Sequence, residues 1–520
     1  MREEELKFSV NDGFVLPELA VLAPQGGEVV RAGTRRLSAT YYDSPDLRLA
    51  RSGVTLRRRT GEDGPPWHLK LPTATANVRE ELTAAGAPDT PPAELARLVT
   101  GWLRAARLVP VVALDTTRDV WQVRDRAGRP LVELVDDAVT VGNGRQRTGG
   151  FRELEVERKA DGELTAAVMR RAATLLTETG ASGDAFVPKA IRALGPRALE
   201  PPDIAAPGPL PRRPTGGEVV THALRRTVAR LIGYDVRVRR GEPDAVHQMR
   251  VCCRRLRSDL RVFAPLVDSD FAAPIIEHVR WLGGALGESR DAEVLRTRLS
   301  RTAARDPLAP LDGHALAVLD TDLAERDRRA AHALAGAMDT HRYAESLEVL
   351  VEAARHPRLT ARARRPATRT LPRQVAKAWR DLETAARLGP LDPDEAWHAA
   401  RIQAKRARYA AEAVAPATGK DAARLAKAIA EVQDVLGEHH DAVIAAQHWA
   451  DLAAQHPDDP TVMITCGRLV ERERAAARTD RARFRHAWSR AAKPKRTRWL
   501  AADGGVPAEA RPTPEVAGAR

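Results

Sequence analysis

The spacing of apolar and polar positions changes character once along this chain. Up to about residue 197 it runs with a period of two, in short bursts: Glu3 to Val10, Val54 to Arg59, Trp67 to Leu71, Asp119 to Arg124, Leu131 to Val139 and Phe151 to Arg158. A period of two places successive side chains on opposite faces of a strand, so each burst reads as a strand with one apolar face. Turn-forming clusters at Gly61 to Pro66 and at Gly142 to Gly144 separate them. Two stretches, near Pro92 to Ala106 and Leu164 to Thr179, carry helical spacing instead. Residues 198–217 (ALEPPDIAAPGPLPRRPTGG) are rich in Pro and Gly and read as a linker. From Glu218 to about Ala492 the apolar residues recur at threes and fours, the period of helices. Residues 493–520 are basic, then rich in Gly, Pro and Ala, and are expected to be a disordered tail. The domain expectation is therefore 1–197, a linker at 198–217, a helical domain at 218–492 and the tail.

The helical half repeats itself. VHQMRVCCRRLRS from Val246 aligns with WHAARIQAKRARY from Trp397, so that His247, Arg250, Arg254, Arg255 and Arg257 match His398, Arg401, Lys405, Arg406 and Arg408 at an offset of 151. LGESRDAEV from Leu286 aligns with LGEHHDAVI from Leu436 at an offset of 150. Two ordered motifs at nearly equal offsets predict a duplicated helical bundle with pseudo-two-fold symmetry.

Composition sharpens the search for a partner. The net charge of +13 calls for an anion: a nucleic acid, an acidic membrane surface or a phosphate-rich small molecule. At 4% aromatic residues the chain is poor in base-stacking platforms, which argues against single-stranded nucleic acid. The three cysteines, Cys252, Cys253 and Cys466, form neither a disulfide framework nor a spaced zinc site. The opening MREEELKFSV lacks a signal-type apolar core and no apolar run reaches about 18 residues, so a cytoplasmic protein with no membrane partner is expected.

In the strand-rich part, charges of both signs alternate with apolar residues. Glu3, Glu5 and Lys7 share one strand face, as do Arg57 and Arg59, His68 and Lys70, Arg79 and Glu81, Glu133 and Asp137, and Glu153, Glu155 and Glu157. A single such pair is ordinary solvated surface. Six strands with one charged face each, closed into a barrel, would instead gather cations and carboxylates around one lumen. Clustered carboxylates repel one another unless a divalent ion sits among them, and oxygen ligands suit Mg²⁺ or Mn²⁺.

The segment EEELK (Glu3 to Lys7) resembles the ExExK signature of the CYTH superfamily, the triphosphate tunnel metalloenzymes. The resemblance continues through TYYDSPDLRLARSGVTLRRR (Thr40 to Arg59), WHLKLP, LVELVDDAV, FRELEVE and VPKAIRAL. It implies an α+β fold built on an antiparallel eight-stranded tunnel. It implies hydrolysis of inorganic triphosphate, thiamine triphosphate or RNA 5′-triphosphate, and in one branch adenylate cyclisation. Matched by motif, Glu3, Glu5, Glu153 and Glu155 would bind metal or position the attacking water, as the catalytic set. Lys7, Arg57, Arg59, Lys70, Arg118 and Lys189 would hold phosphate oxygens, with Arg35 as a further candidate whose neighbour Arg36 could serve instead. The registers of Glu81, Glu133 and Asp137 stay open.

On the first helix of the repeat, His247, Arg250, Arg254, Arg257 and Arg261 form one stripe, and Arg255 flanks it. His398, Arg401, Lys405 and Arg408 form the matching stripe, flanked by Arg406. Two cationic stripes facing each other need an anion between them. His439 and His440 read as helix surface or capping, since the matching positions are Ser289 and Arg290. The region is similar to a CHAD domain, the conserved histidine α-helical domain. That similarity implies an all-α domain of two pseudo-symmetric bundles whose basic surface binds inorganic polyphosphate. The leading expectation is thus a metal-dependent triphosphatase tethered to a polyphosphate binder, with polyphosphate granules as a possible location. A polyphosphate scaffold without turnover, an adenylate cyclase and a nucleic-acid binder are the alternatives.

Overall fold

The structure is a computed structural model, and it describes residues 2–73, 75, 78–142, 147–183 and 187–501. The chain divides into two compact units, Met1–Asp203 and Ile204–Arg520.

The first unit is a closed antiparallel barrel of eight strands: β1 (Arg2–Val10), β2 (Glu28–Asp43), β3 (Thr55–Thr60), β4 (Trp67–Pro72), β5 (Val78–Ala84), β6 (Val109–Arg124), β7 (Pro130–Gly142) and β8 (Arg147–Arg158). Their order around the barrel is β1-β5-β4-β3-β2-β6-β7-β8. The six sequence bursts lie in strands, save Val54, which stands just ahead of β3. The bursts missed β2, where polar Thr, Ser and Arg residues interrupt the pattern on both faces, the first half of β6, where the apolar run Val109–Leu114 hides the alternation, and β5, marked only by its Arg79–Glu81 pair. The expected turn at Gly142 to Gly144 falls largely outside the described residues. The stretch near Pro92 to Ala106 forms two short helices, Ala93–Leu98 and Thr100–Leu103, instead of one.

This barrel keeps its main core outside the lumen. Phe8, Leu134, Leu154 and Val156 face outward and pack on Val168, Met169, Ala172 and Leu176 of helix α1 (Glu163–Glu178). Burying each such side chain contributes roughly 1.5–3 kcal/mol. The alternate positions of the same strands, carrying the charges, are thereby turned inward. Toward one end the inner positions become apolar. Ala39, Tyr41, Val112, Leu114, Val139 and Val141 cluster there against Ala190 of α2 (Lys189–Leu194).

Asp43, in the motif-rich stretch, serves the fold. Its buried carboxylate accepts the backbone N–H groups of Ser44, Leu49 and Ala50 and so builds the turn after β2. The first residues of the Pro/Gly-rich stretch are held too. Ala198 is buried, and Asp203 pairs with Arg51 at 2.9 Å and with Arg104, so residues 198–203 pack on the barrel and do not behave as linker. Composition could not show this, because one buried carboxylate decides it.

The second unit is helical. Its main helices are α3 (Gly216–Arg239), α4 (Ala245–Val262), α5 (Ser269–Ala303), α6 (Gly313–Met338), α7 (His341–Arg355), α8 (Pro372–Ala385), α9 (Asp394–Thr418), α10 (Lys420–Gln455) and α11 (Pro460–Ala491). Thr215 and Glu218 close a capping box at the start of α3. The sequence repeat maps α4 onto α9 and the long α5 onto the long α10, and α4 packs against α9. Leu295, Leu299, Leu319 and Leu323 of α5 and α6 share a core with Trp449, Leu452, Cys466 and Leu469 of α10 and α11. In the expected tail, Pro494–Thr497 and Arg498–Ala501 form helical turns, and residues 502–520 lie outside the described residues. Among the described residues no helix is long and apolar enough to cross a membrane.

Candidate functional sites in the barrel and the helical unit

Directly opposed residues of an antiparallel pair point to the same face. Lys7 lies opposite Glu155 and Glu5 opposite Glu157. Asp137 lies opposite both Arg118 and Glu153. Arg57 lies opposite Tyr41 and His68, and Lys70 opposite Glu81. The register therefore puts this whole set into one lumen. Glu3 lies opposite Arg79 in β1, and its side chain is outside the described residues. Arg35 shares the inward register with Arg118 but is exposed, so it does not join the cluster.

At the centre is a carboxylate–cation network. Lys189 Nζ, delivered from the first turn of α2, stands 2.8 Å from each of Asp137, Glu153 and Glu155. Arg118 donates through two nitrogens to Asp137 at 2.8 and 2.6 Å, and to Glu155 at 2.9 Å. Lys7 pairs with Glu155 and stands 3.6 Å from Glu5. On the opposite wall Arg57 donates to the Tyr41 hydroxyl at 3.2 Å and lies 3.8 Å from Glu81, which is also 3.0 Å from His68 Nδ1 and 3.7 Å from Lys70. Arg59 pairs with Glu62 of the following turn. That turn requires Gly61: its φ is +98°, and a Cβ there would strike the Arg36 carbonyl.

The charges are strongly coupled. Burial disfavours the ammonium of Lys189, yet Glu155, Asp137 and Glu153 outweigh it and its pKa is raised well above the ordinary lysine range. Lys7 follows the same logic: burial opposes its charge, and Glu155 with Glu5 and Glu153 prevails. Burial would raise Glu155, but Lys189, Lys7 and Arg118 hold it well below the carboxylate range. Asp137 is likewise lowered, by Lys189 and Arg118 against burial. Arg59 is the contrary case, lowered by burial and then by Arg57. One wall thus balances its charges; on the other, Tyr41 and Glu81 favour the charge on Arg57 against burial, and Arg59 alone carries its charge at a cost that an anion would relieve.

The sequence reading missed Tyr41 and Glu62 and left Asp137 and Glu81 open. Asp137 was within reach of the same signal, since it alternates with Glu133 on the face opposing Glu153. Glu62 had no signal, because a turn residue has no periodicity.

Among the described residues no group of three or more His, Cys, Asp or Glu side chains converges as a ready-made metal cage. The reason is visible above: Asp137, Glu153 and Glu155 are turned toward cations. The donor chemistry nevertheless fits a hard divalent ion. Mg²⁺ keeps several waters and takes only one or two carboxylates beside substrate phosphates.

In the helical unit, α4 and α9 bring the two stripes together. Arg250 donates to Asp291 at 2.7 Å and to the Gly287 carbonyl at 3.2 Å. Its repeat mate Arg401 lies 3.9 Å from Asp441, the mate of Asp291. Burial, then Arg401 and Arg254, push Lys405 down to about 7, with Arg250 adding to them and Asp441 opposing. Arg250, Arg254, Arg401 and Lys405 therefore form one cationic cluster, called the groove below for its place between α4 and α9. Arg255 and Arg408 stand apart, both paired to Glu412. Arg257, Arg261 and Arg406 form a third set, in which Arg261 is lowered by burial and then by Arg406. His247 is half-buried on α4.

The histidines correct an expectation. His439 is no surface or capping residue: it is 2% exposed, stacks on Trp397 at 5.0 Å and accepts from Arg481 Nε at 3.0 Å. His440 turns to His398, with Nδ1 atoms 3.2 Å apart. Both are pushed down to about 4, by burial first and then by nearby arginines. Repeat position alone could not foresee this, because α11 supplies Arg481.

Compared with known proteins, residues 1–189 match the CYTH domain and residues 222–450 the CHAD domain. Two uncharacterized proteins, from two strains of Mycobacterium tuberculosis, are 32% identical over 495 residues, covering 91% of this chain and 92% of theirs. This chain belongs to the CYTH–CHAD family. The CYTH family is typically one of triphosphatases and cyclases, and implies dependence on a divalent metal. Among solved structures, PptA from Streptomyces chartreusis is 24% identical, covering 53% of this chain and 99% of its own, with a TM-score of 0.44. The CHAD domain from Ricinus communis is 26% identical, covering 55% and 95%, with a TM-score of 0.45. HpAC1 from Hippeastrum, an adenylyl cyclase candidate with a dominant triphosphatase activity, is 18% identical over 37% of this chain and 94% of its own, with a TM-score of 0.22.

Proposed function

We propose that the CYTH barrel hydrolyses inorganic triphosphate or a closely related triphosphate with a divalent metal, and that the CHAD unit binds inorganic polyphosphate. The supporting observation is a single lumen lined both by carboxylates, Glu5 and Glu155, and by cations, Lys7, Arg57, Arg59, Lys70, Arg118 and Lys189, with Asp137 and Glu153 held behind it by Lys189. Arg57, Arg59 and Lys70 bind the phosphate oxygens and neutralise the charge that builds up on the leaving diphosphate. Lys7, Lys189 and Arg118 take the phosphoryl group being transferred, and in doing so loosen their hold on Glu153 and Glu155. Glu5, with Glu3 beside it on β1, Glu153 and Glu155 are the carboxylates that would hold Mg²⁺ or Mn²⁺. When bound, the ion neutralises phosphate charge. The attacking water forms the new P–O bond as the bridging P–O bond breaks. Glu5, whose contact with Lys7 is a longer 3.6 Å, can take the released proton at the smallest loss of ion pairing.

The test is phosphate release from triphosphate, thiamine triphosphate and long polyphosphate, with Mg²⁺, with Mn²⁺ and with chelator. Metal-dependent release that falls by orders of magnitude in Glu5→Ala is expected. Equal release in chelator removes the metal-dependent reading, and no release from any of the three substrates leaves a binding protein.

The groove makes a separate prediction about pH. Arg401, Arg254, Arg250, Asp441, His398 and His440 all surround Lys405. With its pKa near 7, the free groove loses a positive charge as pH rises through neutrality. A bound polyanion favours the charged form, so binding takes up a proton and is tighter at pH 6 than at pH 8. Titrations at the two pH values should differ by roughly tenfold, the worth of one charge-assisted hydrogen bond. Lys405→Arg should flatten the difference. A pH dependence unchanged in that variant assigns it elsewhere.

A further inference from the structure

The first unit holds one histidine, His68, and the proposed reaction gives it no part. His68 of β4 is 8% exposed and lies opposite Arg57 of β3 and Thr83 of β5, so its ring shares the inward face with the cations of the lumen. It does not itself line the cavity, whose wall on this side is Arg57, Arg59, Lys70 and Arg79. It stands behind that wall, between two carboxylates. Its Nδ1 is 3.0 Å from Glu81 Oε1, and its Nε2 is 3.9 Å from Glu62 Oε1.

Each of those carboxylates is engaged with cations that a bound triphosphate would claim. Glu62 pairs with Arg59, and Glu81 stands 3.8 Å from Arg57 and 3.7 Å from Lys70. A triphosphate that draws these three cations into the lumen takes them from Glu62 and Glu81. Both carboxylates have little access to water, their side chains being 19% and 10% exposed. A carboxylate so placed that loses its cation needs a new donor. His68 is the side chain between the two. A carboxylate only accepts, so Nδ1 carries the ring hydrogen toward Glu81, and in the neutral ring Nε2 has none to offer Glu62. The distances agree, since 3.0 Å is a hydrogen bond and 3.9 Å is not. A proton added at Nε2 gives the ring a second donor, on the side of Glu62.

We propose that His68 is a positioning residue that takes up one proton at Nε2 when triphosphate enters the lumen, so that its imidazolium holds Glu81 and Glu62 in place of the cations that turn to phosphate. The proton comes from solvent, and no bond to phosphorus forms or breaks in this step. The charged groups around the ring are Arg57 and Arg59 from β3, Lys70 from β4, Arg79 and Glu81 from β5 and Glu62 from the turn after β3, with Arg118 across the lumen in electrostatic reach of Glu62. In the free lumen these cations already meet the two acids and disfavour a further positive charge on the ring. Once phosphate engages Arg57, Arg59 and Lys70, the balance reverses and the ring protonates. This deepens the triphosphatase reading and rests on it.

The experiment titrates the full chain with inorganic triphosphate, in chelator, by calorimetry at about pH 7 in two buffers of different ionisation enthalpy, which counts the protons exchanged on binding. Protons exchanged by triphosphate itself, or by the Lys405 groove, are the same in every variant, so a difference between variants belongs to the lumen. The parent should take up about half a proton or more beyond His68→Gln, which keeps an N–H for Glu81 but has no site for the proton. His68→Gln should also bind roughly tenfold more weakly. Glu62→Gln, which frees Arg59 and removes the acid beside Nε2, should lose the extra proton as well, yet bind roughly 2- to 10-fold more tightly. A ring that only fills space predicts the same proton count in all three chains. That result overturns the role of His68 and leaves the triphosphate site standing. If His68→Gln does not fold, Glu62→Gln, changed in a turn, decides alone. If the parent binds no triphosphate, the underlying reading falls and this one with it.

Discussion

Asp137→Ala should melt the CYTH barrel about 6–12 °C earlier than the parent, from a loss of roughly 3 kcal/mol. Asp137 is fully buried and holds Arg118 through two bonds and Lys189 through a third contact. Removing the carboxylate leaves two buried cations with less compensation, which is costlier than losing an attraction, because a buried unpaired charge has no water to turn to. The figure sits at the low end of the usual range because Glu155 still contacts both cations. The measurement is thermal unfolding of the barrel transition. A shift within about 2 °C would mean that water reaches this network freely and that its low exposure misleads. Acid offers the same test on the parent. Asp137 and Glu155 have lowered folded pKa values, so their stabilisation is complete above the unfolded carboxylate range, about pH 4, and is lost as pH falls through the lower folded values.

The double variant Arg57→Ala, Arg59→Ala should weaken triphosphate binding on the order of 100- to 10,000-fold while the barrel keeps its fold. Each guanidinium in contact with phosphate contributes a charge-assisted bond, and both stand on β3 facing the lumen. Their loss costs the fold less than that of Asp137, because Arg59 already has its charge disfavoured by burial and by Arg57. Calorimetric titration with triphosphate in chelator reads the effect without turnover. Binding as tight as the parent's would place these side chains off the phosphate path. The two variants thus separate the halves of the lumen: the Asp137 wall acts mainly on stability, and the Arg57–Arg59 wall on affinity.

What the linear pattern could settle follows from its period. Alternation on β1, β3, β4, β7 and β8 told which residues share a face, because a strand's side-chain period is two whatever the strand pairs with. It could not tell which face is inside. That was decided by α1, whose Val168, Met169 and Leu176 cover the apolar face and leave the charged one to the lumen. The repeat at a fixed offset was likewise legible and gave the two cationic stripes as one duplicated feature.

Three things were decided only by the tertiary structure. Lys189 reaches the carboxylates from a short helix, so no strand period marks it. The registers of Asp137 and Glu81 depend on which strands are neighbours, and β1 pairs with both β5 and β8 only because the barrel closes. The stripes on α4 and α9 look equivalent in sequence, yet Glu412 quenches Arg255 and Arg408 while Arg261 leaves Arg406 facing a cation. Sequence fixes which charges a helix face presents. Whether such a charge meets an acid, another cation or a bound anion is set by the crossing of two helices far apart in the chain, through distances that no local pattern records.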